Sequence, residues 1–183
     1  MFSEYKDEEH RRQAEEILLV LGRFTVQFER MCEAMRHAIT LVLRSQGLKN
    51  YEMQQVIVGN TSSAQLQVLL GALCNHIPEW DEADRLAVKN VLKEVKELTE
   101  SRNVMLHSAW QFGDSSSGTE FLAVAIRQRT KQTSGAVSEV WGVGAKYLEE
   151  LIQRMRASQV LLQRLVICIN QSFKPALKLA EPL

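Results

Sequence analysis

Arg102, Asn103 and His107 are the residues whose types and spacing suit acid–base chemistry on a charged substrate. They stand at the C-terminal end of the cleanest amphipathic stretch, in Ser101-Arg102-Asn103-Val104-Met105-Leu106-His107. Reading back from it, Val88, Val91, Val95 and Leu98 recur at the three-and-four spacing of one helical face. The next positions on that stripe are Arg102 and Met105, so a guanidinium falls where a core side chain belongs. Burying an unpaired arginine is costly, which implies a partner, a water-filled cleft or an anionic ligand. Asn103 and His107 lie four residues apart and share a helical face. An imidazole changes charge near neutral pH, and a guanidinium is a permanently charged fork suited to phosphate. The three form a candidate acid–base and phosphate-binding set.

The elements that must position this set are mostly helical. A long helix is predicted from about Glu8 to Ser45, with an apolar face of Ile17, Leu21, Phe24, Phe28, Met31, Met35, Ile39 and Val42, ended by Gly47. At about 1.5 Å per residue it exceeds roughly 50 Å, so its N-terminal third projects or packs on a second subunit. A short amphipathic piece, Tyr51 to Val58, stops at Gly59-Asn60. Ser62-Ser63-Ala64-Gln65 has capping-box spacing and opens a helix through Leu66, Leu69, Leu70 and Leu73 that closes before Pro78. Asp81 caps the helix that carries the candidate set, Glu82 to His107.

The period then changes. Trp110-Gln111-Phe112 leads into the turn Gly113 to Gly118, followed by a strand over Thr119 to Arg129, a turn over Thr130 to Gly135 and a strand over Val137 to Val143. A last long helix runs from Ala145 to about Phe173, where Pro175 stops it and leaves a loose tail. The predicted fold class is all-α: an up-and-down helical bundle with a small β-hairpin insert, about residues 109–143, before the last long helix. All 183 residues are expected in one domain.

Composition narrows the function classes. The 22 Lys and Arg balance the 22 Asp and Glu, so no global field attracts nucleic acid or a membrane, and any such contact must be local. Cys32, Cys74 and Cys168 are far apart in sequence, each beside apolar residues, with neither CxxC nor metal spacing, and are expected as buried thiols in a reducing compartment. The acidic start, Met-Phe-Ser-Glu-Tyr-Lys-Asp-Glu-Glu, does not read as a signal peptide, and no apolar run approaches the roughly 20 residues of a membrane span. The expectation is a soluble, cytoplasmic protein without membrane contact. No histidine or carboxylate pair has zincin or di-iron spacing and no glycine-rich phosphate loop follows a strand, so neither metal nor cofactor is called for.

With these residues in place, the chain resembles the HEPN superfamily. Its signature is an arginine, a polar residue directly after it, and a histidine a few residues on, late in a bundle helix. Arg102, Asn103 and His107 match it in order, spacing and place. The resemblance implies a HEPN-like bundle, a homodimer, and a metal-independent endoribonuclease acting on single-stranded RNA. Its setting would be a toxin with an antitoxin partner, or a phage-defence effector. Some HEPN toxins carry a tyrosine two residues after the histidine that a partner enzyme modifies; Ala109 stands there, so an antitoxin would act by another route. In such chemistry a base activates a ribose 2′-hydroxyl, an acid protonates the leaving oxygen, and positive charge stabilises the phosphorane. His107 is the candidate acid–base, Arg102 the phosphate donor, and Asn103 the orienting or second phosphate group. On an ideal helix Arg102 and His107 lie roughly 140° apart, so two copies meeting at a dimer interface are expected to complete the site.

Weaker candidates surround this set. Glu29, in the first helix, has the charge to support Arg102 or His107, against the plainer reading of a solvated carboxylate. Arg127, Arg129 and Lys131 could grip backbone phosphates, or simply form a solvated tip that discourages edge pairing. Trp110, Phe112 and Trp141 could stack bases, or pack the insert against the helices. The competing class for the whole chain is a non-catalytic dimeric HEPN-like module for interaction or scaffolding, whose Arg102 and His107 only join subunits.

Overall fold

Apolar residues at three-and-four spacing build three long helices: α1 (Glu8–Ser45), α4 (Glu82–Leu106) and α5 (Ala145–Gln171). Two shorter helices, α2 (Tyr51–Gly59) and α3 (Ser63–Asn75), lie between α1 and α4, and a single turn, α6 (Pro175–Lys178), follows α5. Between α4 and α5 run three strands, β1 (Ala109–Asp114), β2 (Phe121–Lys131) and β3 (Gly135–Gly142). The computed structural model describes residues 7–114, 121–131 and 135–182. The turn at 115–118 and most of the turn between β2 and β3 lie outside them.

The insert is not a hairpin. It is a three-stranded antiparallel sheet in the order β1-β2-β3, with Trp110 opposite Ala125 and Ala125 opposite Trp141. The sequence predicts Trp110-Gln111-Phe112 only as the approach to a turn. Yet Trp110 and Phe112 alternate with Gln111 and Gly113, the period-two signature of a strand, and a neighbouring β2 satisfies its backbone. The chain is therefore mostly helical with a small sheet.

The chain divides into two compact units, each assembled from separated segments. The first combines Met1–Val26 with Glu100–Ile152, and so holds the start of α1, the last turns of α4, the sheet and the first turns of α5. Its buried residues include Ile17, Val20 and Phe24 of α1, Met105 of α4, Ala123 and Ala125 of β2, and Leu148 and Leu151 of α5. An ion pair of 2.6 Å joins Arg23 of α1 to Glu149 of α5.

The second unit combines Gln27–Thr99 with Gln153–Leu183. Met31, Met35 and Ile39 of α1, Leu66 and Leu70 of α3, Val95 and Leu98 of α4, and Met155 and Leu162 of α5 are fully or almost fully buried in it. Polar pairs fix the helices laterally: Gln27 donates to Gln159 (2.7 Å), Gln67 to Thr99 (2.9 Å), and Arg154 to Glu94 and Glu97 (2.8 and 3.1 Å). The three cysteines are buried. Burial alone pushes the Cys74 thiol up to about 12.

The helix boundaries have local causes. α1 ends in a Schellman motif, in which Gly47 takes a φ of 98° while its N–H bonds Arg44 O and Leu48 N–H bonds Leu43 O. Ser62 and Gln65 form the expected capping box of α3. Asp81 caps α4 reciprocally with Asp84: Asp84 N–H donates to Asp81 Oδ1 (3.1 Å) and Asp81 N–H to Asp84 Oδ2 (3.2 Å).

The segment after α5 departs from expectation, because it is tied down rather than loose. α5 ends at Gln171, Ser172 takes a φ of 55°, and Pro175 opens α6 at a position where its missing N–H costs nothing. Ala176 N–H and Lys174 Nζ both reach Asp84, at 3.0 and 3.1 Å, and Lys174 Nζ also donates to Glu79 O. Asp84 is 1% exposed, so its charge needs these donors. Among the described residues no helix is long and apolar enough to cross a membrane.

Candidate active site

The candidate set forms where α4 stops. The apolar stripe holds as read: Val88, Val91, Val95, Leu98 and Met105 are all buried, while Arg102, on the same seam, is half-buried. Asn103 is also half-buried and His107 is exposed. Leu106 is the last helical residue and His107 follows it directly. Its ring comes back to Arg102, with Nη1 of the guanidinium 3.4 Å from Nε2. The same Nη1 donates to Asn103 Oδ1 at 3.3 Å.

This corrects the ideal-helix expectation that one chain leaves Arg102 and His107 roughly 140° apart. The helix ends at Leu106, and the two side chains meet within one chain.

The contact has a chemical consequence. A guanidinium can only donate, so Nε2 of His107 accepts, and a neutral ring in this pose carries its proton on Nδ1. Nε2 then presents a lone pair beside a fixed positive charge. Both contacts are long for hydrogen bonds, and the side chains are partly open to solvent.

The end of α4 is held by His107 and by two residues beyond it, Ser108 and Trp110. His107 N–H bonds Asn103 O, Ser108 Oγ donates to Val104 O (2.6 Å), and Trp110 Nε1 donates to Met105 O (2.9 Å). Three consecutive terminal carbonyls thus gain donors. The signal for Ser108 was present, since a serine just past a helix end commonly serves this way. The indole of Trp110 had no local signature. The α4 carbonyl end also places partial negative charge near Arg102, a permanent cation.

The remaining predicted residues are placed differently. Trp110 is half-buried, and its ring stacks on Phe112 with centroids 6.1 Å apart and planes 18° from parallel. Trp110 and Trp141 flank the fully buried Ala125 in one cross-strand row, where the small residue leaves room for both indoles. Arg127 is a half-buried residue within β2, directly opposite Glu139, rather than at a turn. Arg129 and Lys131 are paired in register with Val137 and Gly135; their side chains lie outside the described residues. Glu29 is exposed on the part of α1 that belongs to the second unit.

Among the described residues no group of three or more His, Cys, Asp or Glu could hold a metal ion. No protein-family model, curated protein or solved structure matches the chain.

Proposed function

We propose that the chain is a metal-independent endoribonuclease of HEPN type whose working groups are Arg102, Asn103 and His107. One observation carries the proposal: a guanidinium nitrogen stands 3.4 Å from an imidazole nitrogen at a partly open helix end. A ribose 2′-oxygen and its neighbouring phosphorus are separated by a similar distance. A base and a phosphate donor serving that unit must therefore be adjacent, as these are.

In the reaction, an incoming phosphate takes over the guanidinium from His107, which frees the Nε2 lone pair for the 2′-hydroxyl proton. The 2′-oxygen bonds phosphorus, and the bond from phosphorus to the 5′-oxygen breaks. The products are a 2′,3′-cyclic phosphate and a 5′-hydroxyl. Arg102 bears the charge that builds on the phosphorane, and Asn103 keeps the guanidinium in place. The 5′-oxygen must be protonated from the side opposite the attacking group. One histidine does not serve both sides at once, so His107 of a second copy is the natural acid and a homodimer the working form. Lacking a 2′-hydroxyl, DNA would not be cut.

The test is incubation of labelled single-stranded RNA with the protein in EDTA, beside Arg102→Ala, His107→Ala and an all-deoxy strand. Cleavage that leaves cyclic phosphate ends, and that either substitution abolishes in a folded protein, supports the enzyme. RNA left intact by a folded wild-type dimer overturns it.

The second reading is the non-catalytic dimeric module, and one observation favours it. Arg102 Nη1 already spans Asn103 and His107, an arrangement that also serves simply to finish a helix. In that case the substitutions alter subunit association and leave RNA untouched. A toxin or phage-defence setting, an antitoxin and a cytoplasmic location follow only from the HEPN proposal.

A further inference from the structure

We propose that the groove between α3 and α4 in the second unit binds an amphipathic organic anion: a carboxylate or phosphate head on an apolar body. The groove has a volume of about 420 Å³, within the range that small-molecule sites occupy. Its wall is apolar where Val88, itself buried, and Leu92 line it. Gly71 lines it from α3, and a Cβ there would stand 3.3 Å from Leu92 Cδ1, so the space depends on the missing side chain. Leu86 lines it too while 54% exposed, which leaves apolar surface for a ligand body to cover.

The charge in the groove is what points to an anion. Arg85 and Lys89 both line it, one helical turn apart on α4, and like charges at that spacing repel. Among the described residues neither Arg85 nor Lys89 makes an ion pair, as is also true of Lys93, Lys96 and Arg156, so it is their shared place in the lining that matters. Arg85 Nε is moreover shut off from solvent with no hydrogen-bond partner among those residues, an arrangement that folding alone does not favour. An anionic head placed between the two cations removes the repulsion and gives the guanidinium an acceptor. Asn75 supplies a further polar group, and Glu82 is the one carboxylate in the lining. Among the described residues Glu82 makes no ion pair with either cation, and with two cations against one carboxylate the lining keeps a net positive charge. A single compact head on an uncharged body is therefore favoured over a multiply charged ligand.

Titration calorimetry of the full chain at neutral pH tests this with octanoate, octyl phosphate, octanol, octylamine and inorganic phosphate. Saturable one-to-one binding of octanoate or octyl phosphate is expected, and whichever binds more tightly identifies the head. Octanol, octylamine and inorganic phosphate should bind at least about tenfold more weakly. Arg85→Gln and Lys89→Gln should each weaken binding about tenfold, and Glu82→Gln should tighten it a few-fold. Gly71→Leu should fill the groove and abolish binding. Should Gly71→Leu fail to fold, the charge variants on the surface of α4 still decide. Octanol binding as well as octanoate, inorganic phosphate binding as well as octyl phosphate, or full affinity in Arg85→Gln and Lys89→Gln would each overturn the proposal, as would no binding at all.

Discussion

Helix α4 carries a polar cluster at each end, and the two are built on different terms. At the N-terminal end Asp84 is buried and surrounded by donors: Asp81 N–H, Ala176 N–H and the Lys174 ammonium. Those three donors lie 3.0–3.2 Å from its oxygens, and Lys174 Nζ also stands 3.4 Å from Asp81 Oδ2. Hydrogen bonding to Asp84 holds the Lys174 ammonium above its usual range, and the Asp84 N–H, followed by the Lys174 charge, holds Asp81 below its own. At the C-terminal end Arg102, Asn103 and His107 meet through contacts of 3.3 and 3.4 Å on a partly exposed surface. A buried, fully donated carboxylate is too costly to disturb and serves the fold. A half-buried arginine and an exposed imidazole in long contact are the arrangement the proposed function would use. Burial and hydrogen bonding, rather than residue type, separate the two ends.

Substitutions at the two ends should separate activity from stability. The largest effect is expected at the C-terminal end: if the chain is the proposed ribonuclease, His107→Ala lowers RNA cleavage about 10²–10⁴-fold while the thermal melt stays close to wild type. A melt that collapses with the activity would erase the contrast.

At the N-terminal end the signs reverse. Asp84→Ala removes a cap acceptor and the anchor of Ala176 and Lys174, and should cost about 2 kcal/mol of stability with cleavage unchanged at permissive temperature. Denaturant unfolding measures it. The same cluster predicts a pH response. Asp81 has a folded value below its ordinary 3.8, so its contribution is complete at higher pH and fades as pH falls through that lowered value. Lys174 has a folded value above its ordinary 10.5, so its contribution holds below that and fades as pH rises through the raised value. Melts across pH should therefore be flat from this pair in the neutral range. They should decline at both extremes, with Lys174→Met flattening the alkaline fall.

Two helix ends sharpen the comparison at smaller scale. Gly47 and Ser172 both hold left-handed backbone, at φ of 98° and 55°. Gly47→Ala should cost about 1 kcal/mol, and Ser172→Gly should gain up to about 1 kcal/mol, because only glycine takes that conformation without a Cβ penalty. The smallest effect is an expected absence of reaction. With the three cysteines buried and the Cys74 and Cys168 thiols pushed up by burial, a thiol reagent at pH 8 should label the native protein slowly and the unfolded chain at once.

Much of this was legible in the chain itself. The bounds of α1, the capping box at Ser62, the Asp81 cap and the buried stripe from Val88 to Met105 follow from contacts three or four residues apart. The third strand was missed because β1 is short and its partner β2 lies across a turn, so its backbone is satisfied only by a non-local ladder. The anchored tail was missed for the same reason, since Ala176 reaches Asp84 across 92 residues.

The candidate site divides along that line. Residue types and order marked Arg102, Asn103 and His107, because helical periodicity is a local property that any reader of the spacing can follow. That His107 turns back to Arg102 within one chain depended on where the helix stopped. Ser108 and Trp110 hold that stop from four and five residues away, but a strand pairing with residues well downstream holds it too, and only the folded sheet supplies that.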